Sequence, residues 1–493
     1  MIVISLTVAD RAWMVFTTMD HASDDLTVIW LGATDYARGI FHEPFFYGQD
    51  YGVMLEALLA APFIRLGVDP VIMIAMTIGL LAIAPYLAFA LYFRSRDKFW
   101  AALIFAAMPL LLPVEHGLQI TALNGIALLA LVPLVLNLRH PAIRGSLLAF
   151  ILLLGVLVNP NAALLALPIG LQYLIEHHRQ KQTWFSMASG VLPIIGLCGL
   201  IRWFFADHIE KVVKNTLFDW RMHFKPYMVW DAVEKLDLHF AWTGPLAGDN
   251  ASIGLLMLLV GSVMLFIQRH PATAWAGFAT IGLIILAFCF VKVHEGANSI
   301  FFPLSRAFIG MPLVLAWIWS HVDLHLRLER TMIGALCIAA IFHGGYRMAQ
   351  ASTVFANALQ DQQGLPTQTC SVHMIKKRSA IVADLASRHK VEKIFLLRGD
   401  DPFSAQFLAY AIPVFYPDAP TTWMVAHDRR IFQHIAPESE PIDEALIVAS
   451  SMEDLEQVLA LNEQGSIIND SAPYCAVLAL EGRSISEVLQ PMR

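Results

Sequence analysis

Charged side chains are scarce in this sequence. Asp, Glu, Lys and Arg make up 15% of its 493 residues, and hydrophobic residues make up 57%. A soluble globular chain carries about 25% charged residues. Mean hydropathy is +0.59. This excludes an ordinary soluble protein and implies a polytopic membrane protein. Excess positive charge is also lacking. A net charge of −7 offers nothing to a nucleic-acid backbone, so no nucleic-acid partner is expected. Cysteine is nearly absent, and five residues are too few for a disulfide scaffold. Cys198, Cys289 and Cys337 lie in apolar segments, where a small buried thiol is expected. Cys370 and Cys475 fall in a polar tail. There they are either bridged, if the tail faces an oxidising compartment, or two free thiols.

The small charge complement is unevenly spread. Residues 347–493 carry 12 basic and 18 acidic residues, whereas the first 346 carry 21 and 22. That shift marks a boundary between a membrane domain, 1–346, and a soluble domain, 347–493. Apolar runs near 1–19, 70–93, 99–113, 122–138, 146–158, 162–175, 183–205, 251–268, 272–291, 305–320 and 331–346 predict about eleven transmembrane helices. The pair 146–158 and 162–175, parted by Asn159-Pro160-Asn161, is either two short helices or one broken helix. The first run is short and is interrupted by Asp10 and Arg11. Either an upstream start is missing or Arg11 snorkels to the far interface.

Basic clusters at Arg94/Arg96/Lys98, Arg139/Arg144, Arg179/Lys181, Arg269 and Arg327/Arg330 orient the chain. With eleven helices and a cytoplasmic N-terminus, all five fall on the cytoplasmic side. Loops 20–69 and 206–250 and the tail then lie outside. Within 20–69, Leu26, Ile29, Trp30, Ala33 and Ala37 recur at helical spacing. That predicts a helix over Asp25–Arg38 lying in the interface plane, with Asp35 on its solvated face. A second amphipathic stretch covers 53–67. Loop 206–250 is rich in aromatics and reads as an interfacial cap. In the tail, "EKIFLLRG", "TTWMVAH", "EALIVAS" and "CAVLALE" read as strands alternating with helices. They imply an α/β domain with a largely parallel sheet. The tail has no Gly-x-Gly-x-x-Gly and no Walker loop, so a nucleotide role is unsupported.

The stretch "HASDDLTVIWLGATDYARG" places two adjacent acids, Asp24 and Asp25, just ahead of the first of these helices. Arg11 precedes them by thirteen residues, and "FYGQDYGVMLEALLAAPFIRLGVDP" follows at 46–70. Together these features resemble the GT-C glycosyltransferases. The likeness is to the protein O-mannosyltransferase and aminoarabinose-transferase branch, membrane enzymes that use lipid-linked sugars. The resemblance covers residues 10–98. It departs in having Asp-Asp where Asp-Glu is common. A fainter likeness joins "SRAFIGMP" at 305–312 to an Arg-Tyr-x-x-Pro segment, with Ala between Arg306 and Phe308 as the departure. The resemblance implies a GT-C-like membrane domain with an extracytoplasmic α/β domain. It also implies an inverting hexosyl- or pentosyltransferase of a bacterial inner membrane. The donor would be a polyprenyl-phosphate sugar and the acceptor an extracytoplasmic glycan, lipid or protein. The long donor tail, lodged among membrane lipids, accounts for the many helices.

A hydroxyl is a poor nucleophile at neutral pH, and a nearby carboxylate can take its proton during attack. By resemblance Asp24 is that base, and Asp25 orients the acceptor or Asp24. Equally, Ser23 or Asp24 can serve only to cap the helix, with Asp25 near its positively polarised N-terminus. The leaving phosphate needs cationic help, and a bidentate Arg fits it well. Arg306 is the first candidate, with Lys292 and His294 in the same loop, while an interfacial Arg can also simply reach toward lipid headgroups. Asp50 and Glu56 flank the second loop segment. Glu56 stands in the apolar "MLEALL", so it either pairs with Arg11, Arg38 or Arg65 or lines a substrate cavity. His42-Glu43, Glu115-His116 and His294-Glu295 form no spaced ligand set, so no metal and no cofactor is expected. Two other readings stay open: a transporter or flippase of a lipid-linked substrate, and a membrane-anchored assembly protein with a binding tail.

Overall fold

The computed structural model describes residues 1–47, 52–117, 121–208, 223–241, 243, 252–296, 300, 303–361, 369–397, 402–425, 443–460, 465–480 and 482–483. Among them, five helices are long and apolar enough to cross a membrane: Pro70–Arg94, Pro141–Val158, Lys181–Phe204, Pro271–Phe288 and Leu326–Thr353. Shorter apolar helices occupy the other predicted runs, at Phe99–Leu111, Thr121–Leu136, Ile253–Ile267 and Leu304–Trp319, along with Ile2–Thr18 and Ala163–His177. The protein is a multi-pass membrane protein whose described C-terminal part carries a sheet. The Asn159-Pro160-Asn161 break separates two helices, because the Asn159 side chain accepts the Asn161 N–H and opens a new turn.

Four of the first five helices follow in quick succession: α1 (Ile2–Thr18), α2 (Asp24–Arg38), α3 (Leu55–Arg65) and α4 (Pro70–Arg94), with α5 at Phe99–Leu111. The chemistry of their ends fixes the boundaries. Ser23 caps α2, and Gly39 closes it with φ +79°, where a side chain would be strained. Asp69 caps α4 through Val71 N at 2.8 Å, with Pro70 as the first helical residue.

α1 is tied down by charge. Arg11 does not snorkel: it is 4% exposed and donates to the carbonyls of Gly117 (3.2 Å) and His116 (3.4 Å). Arg347, from the helix Leu326–Asp361, is fully buried. It donates to the carbonyls of Pro109 (2.6 Å) and Leu112 (3.1 Å) and to Asp10 Oδ2 (2.9 Å). Arg347 satisfies carbonyls that the end of α5 leaves open, Arg11 satisfies those of the turn Val114–Gly117 that follows, and Asp10 balances part of their charge. Elsewhere, Gly125 and Gly155 bring two helices into backbone contact. A Cβ at Gly125 would stand 2.4 Å from the Gly155 carbonyl oxygen.

The helix predicted to lie half-buried in the interface is buried nearly all round. Thr27, Thr34 and Asp35 are as enclosed as Leu26, Ile29 and Trp30. The reason lies in the tail. Helix Pro402–Phe415 packs over α2, with Trp30 and Phe415 ring centroids 5.9 Å apart, while α3 and α4 cover the rest. Each large side chain closed off in this way contributes about 1.5–3 kcal/mol.

In the tail, β3 (Lys393–Leu397), β4 (Thr421–Val425), β5 (Glu444–Ala449), β6 (Gly465–Asn469) and β7 (Tyr474–Ala479) form one sheet in the order β4-β3-β5-β7-β6. The first three strands are parallel. β7 runs antiparallel to β5, and β6 antiparallel to β7, so the sheet is less parallel than predicted. A second, two-stranded sheet pairs β1 (His21–Ser23) with β2 (Thr369–Ser371). This joint sets the tail beside the acidic end of α2. Cys370 and Cys475 are free thiols, and burial pushes Cys475 up to about 12.

Candidate active site

The acidic pair opens α2. Ser23 takes an extended conformation, and its Oγ accepts Leu26 N–H at 3.2 Å, so the cap belongs to Ser23 and both acids are left in the first turn. The side chain of Asp24 lies outside the described residues. Asp25 is about a quarter exposed, and its Oδ2 stands 4.0 Å from Arg306 Nη1, which is similarly open. A carboxylate and a guanidinium, both partly exposed, therefore meet at the N-terminus of a buried helix.

Arg306 is held by its neighbours. It ends the short helix Pro303–Arg306. Ser305 Oγ donates to Leu238 O at 2.9 Å, and His239 Nδ1 donates to Leu304 O at 2.8 Å. His239 is completely buried against Phe288 and Phe308, and burial drives its pKa down to about 4. The ring therefore stays neutral at ordinary pH and acts as a fixed donor. The helix Leu236–Phe240 thus supports the turn that carries Arg306.

The other described candidates each have partners of their own. Lys292 Nζ pairs with Glu295 Oε2 at 2.8 Å. His294 Nε2 donates to Phe288 O at 2.9 Å and sets its ring perpendicular to His239, with centroids 5.1 Å apart. Both residues brace the Arg306 loop. Asp50 lies outside the described residues. Glu56 is 1% exposed and, among the described residues, pairs with no arginine: its Oε2 accepts Asn124 Nδ2 at 3.3 Å. Burial pushes its carboxyl up to about 7, against partial relief from its own backbone and from Asn124. Asp35 departs from its predicted solvated face. It is buried and accepts Tyr47 Oη–H at 3.1 Å, with His42 Nε2 at 3.5 Å. Asn124 and His239 escaped the sequence reading. A lone Asn inside an apolar run was a signal for the first, and nothing local marked the second.

Neither a protein-family model nor a curated protein matches the sequence. Among solved structures, the apo crystal structure of ArnT from Cupriavidus metallidurans is similar over 97% of each chain. The TM-score is 0.50 at 14% identity. This chain shares the fold of that structure. The likeness includes the C-terminal part as well as the helices, since the match spans nearly the whole chain. Among the described residues, no three His, Cys, Asp or Glu side chains converge as a metal ligand set.

Proposed function

We propose that this protein is an inverting glycosyltransferase. It moves a sugar from a polyprenyl-phosphate donor to an extracytoplasmic glycan, lipid or protein. The observation that carries this reading is the approach of Asp25 to Arg306 at the head of α2, within a GT-C fold. The acceptor hydroxyl or amine attacks the anomeric carbon from the face opposite the phosphate. The new bond to that carbon forms as the bond to the phosphate oxygen breaks. Asp24 takes the acceptor proton and Asp25 orients the acceptor. Arg306 holds the phosphate that departs on its lipid, with charge-assisted hydrogen bonds from its planar fork. Lys292, His294, Asp50 and Glu56 shape the surrounding substrate site. The chain lies in a bacterial inner membrane with its N-terminus in the cytoplasm. Its 347–493 domain lies outside, on the side of the acids, as the β1–β2 pairing favours.

The test is sugar transfer by purified protein, using a panel of polyprenyl-phosphate sugars and a membrane lipid and glycan extract as acceptor. Asp24→Asn and Arg306→Gln are each expected to lower the rate by about 10²–10⁴-fold while remaining folded. Full activity in both would refute the assignment. No consumption of any donor by the wild type would favour a transporter of a lipid-linked substrate.

A further inference from the structure

Five residues separate the end of α1 at Thr18 from the start of α2 at Asp24. Whatever holds this link determines where the two acids stand. A three-residue strand has little intrinsic stability, yet His21, Ala22 and Ser23 are 5%, 1% and 6% exposed. Their partner comes from the other end of the chain. His21 faces Ser371, Ala22 faces Cys370 and Ser23 faces Thr369, and Val372 N–H donates to Asp20 O at 2.8 Å. The same unit grips α2 and α4 further on. Phe415 packs on Trp30, and Lys376 Nζ reaches Asp69 Oδ2 at 3.0 Å while lying 5.0 Å above the Phe415 ring. Every tie from the tail to the membrane part named here falls on the acid-bearing segment or on the cap of α4.

We propose that the C-terminal domain is a splint for the acidic turn. The β1–β2 ladder and the Val372–Asp20 hydrogen bond act as positioning contacts that keep Asp24 and Asp25 in register with Arg306. The catalytic half of this statement rests on the glycosyl-transfer reading; the mechanical half does not. Preorganisation of this kind matters because a displacement of about 1 Å at reacting groups can cost about 10²-fold in rate. The tail touches no reacting atom in this scheme and acts only through the link.

Val372 allows a clean test. It is the first residue of the helix Val372–His389, where proline is well tolerated. Ser371 before it has φ −62° and ψ +127°, the conformation that a residue preceding proline adopts. Val372→Pro in the full-length protein therefore deletes the N–H that Asp20 accepts without breaking the helix. Val372→Ala, which keeps the N–H and shortens the side chain, is the packing control. Amide hydrogen exchange over residues 21–28 is expected to rise about tenfold in the proline variant relative to the alanine variant, as loss of a bond of this kind implies. In the transfer assay kcat should fall about five- to tenfold with donor KM within about twofold, because the acids shift while the phosphate site stays. Equal exchange in the two variants refutes the splint. Raised exchange with unchanged kcat refutes its catalytic role. A wild type that transfers no sugar refutes the reaction reading instead, and the exchange comparison still decides whether the tail holds the turn.

Discussion

Arg347→Met should be among the most damaging single changes in the protein. The side chain is fully buried and contacts two separate parts of the chain: Asp10 in α1, and the carbonyls of Pro109 and Leu112 at the end of α5. Methionine fills much of the volume but supplies no donor. Asp10, 1% exposed, loses the partner at 2.9 Å. Breaking one side of a buried ion pair costs about 3–5 kcal/mol, chiefly for the charge left behind. Two orphaned carbonyls add to that, and Arg11 nearby offsets part of it. Removing both charges avoids the stranded carboxylate, so the double variant Asp10→Leu/Arg347→Met should be less destabilised than the two single effects summed, by about 1–3 kcal/mol. Thermal unfolding in detergent, followed by tryptophan fluorescence over the full cycle, reads this directly. Additive single effects, or an Arg347→Met protein as stable as wild type, would refute the view that these charges clasp α1 to α5 and to the helix carrying Arg347.

Glu56 gives a pH prediction. Its folded carboxyl titrates near 7 and an exposed glutamate near 4.5, so the folded state holds the proton more tightly. Stability from this group is complete below about pH 4.5 and is lost as pH rises toward 7, by about 3 kcal/mol in all. Glu56→Gln should flatten that slope in thermal unfolding measured from pH 5 to 8; an unchanged slope would show that other groups produce it. His239→Phe keeps the aromatic packing against Phe288 and Phe308 but removes the donor to Leu304 O. Donor KM should rise about three- to tenfold as the Arg306 turn loosens, and an unmoved KM would show that the turn holds without it.

The sequence by itself determined the apolar runs, the acidic pair at a helix start, the second loop helix and four of the tail's strands. Each of these is written locally, in hydropathy over a window, in a Ser-Asp-Asp cap, in an Asp-Pro start or in alternating apolar residues. Tertiary structure alone decided the rest, because each remaining feature joins residues far apart in the chain. Ser23 and Asp24 both looked able to cap α2, and the backbone chose Ser23. Asp35 and Thr34 sit on a polar stripe that suits water, and only tertiary packing buries them, Asp35 against Tyr47 and His42. Glu56 had three candidate arginines, yet Asn124 takes the role, its Nδ2 also donating to Val53 O at 2.6 Å just ahead of the helix that carries Glu56. Three residues of β1 carry no strand signal of their own and become a strand when β2 supplies the hydrogen bonds. The meeting of Asp25 with Arg306 is of the same kind: side-chain chemistry nominated both residues, and the path of the chain through the fold brought them to 4.0 Å.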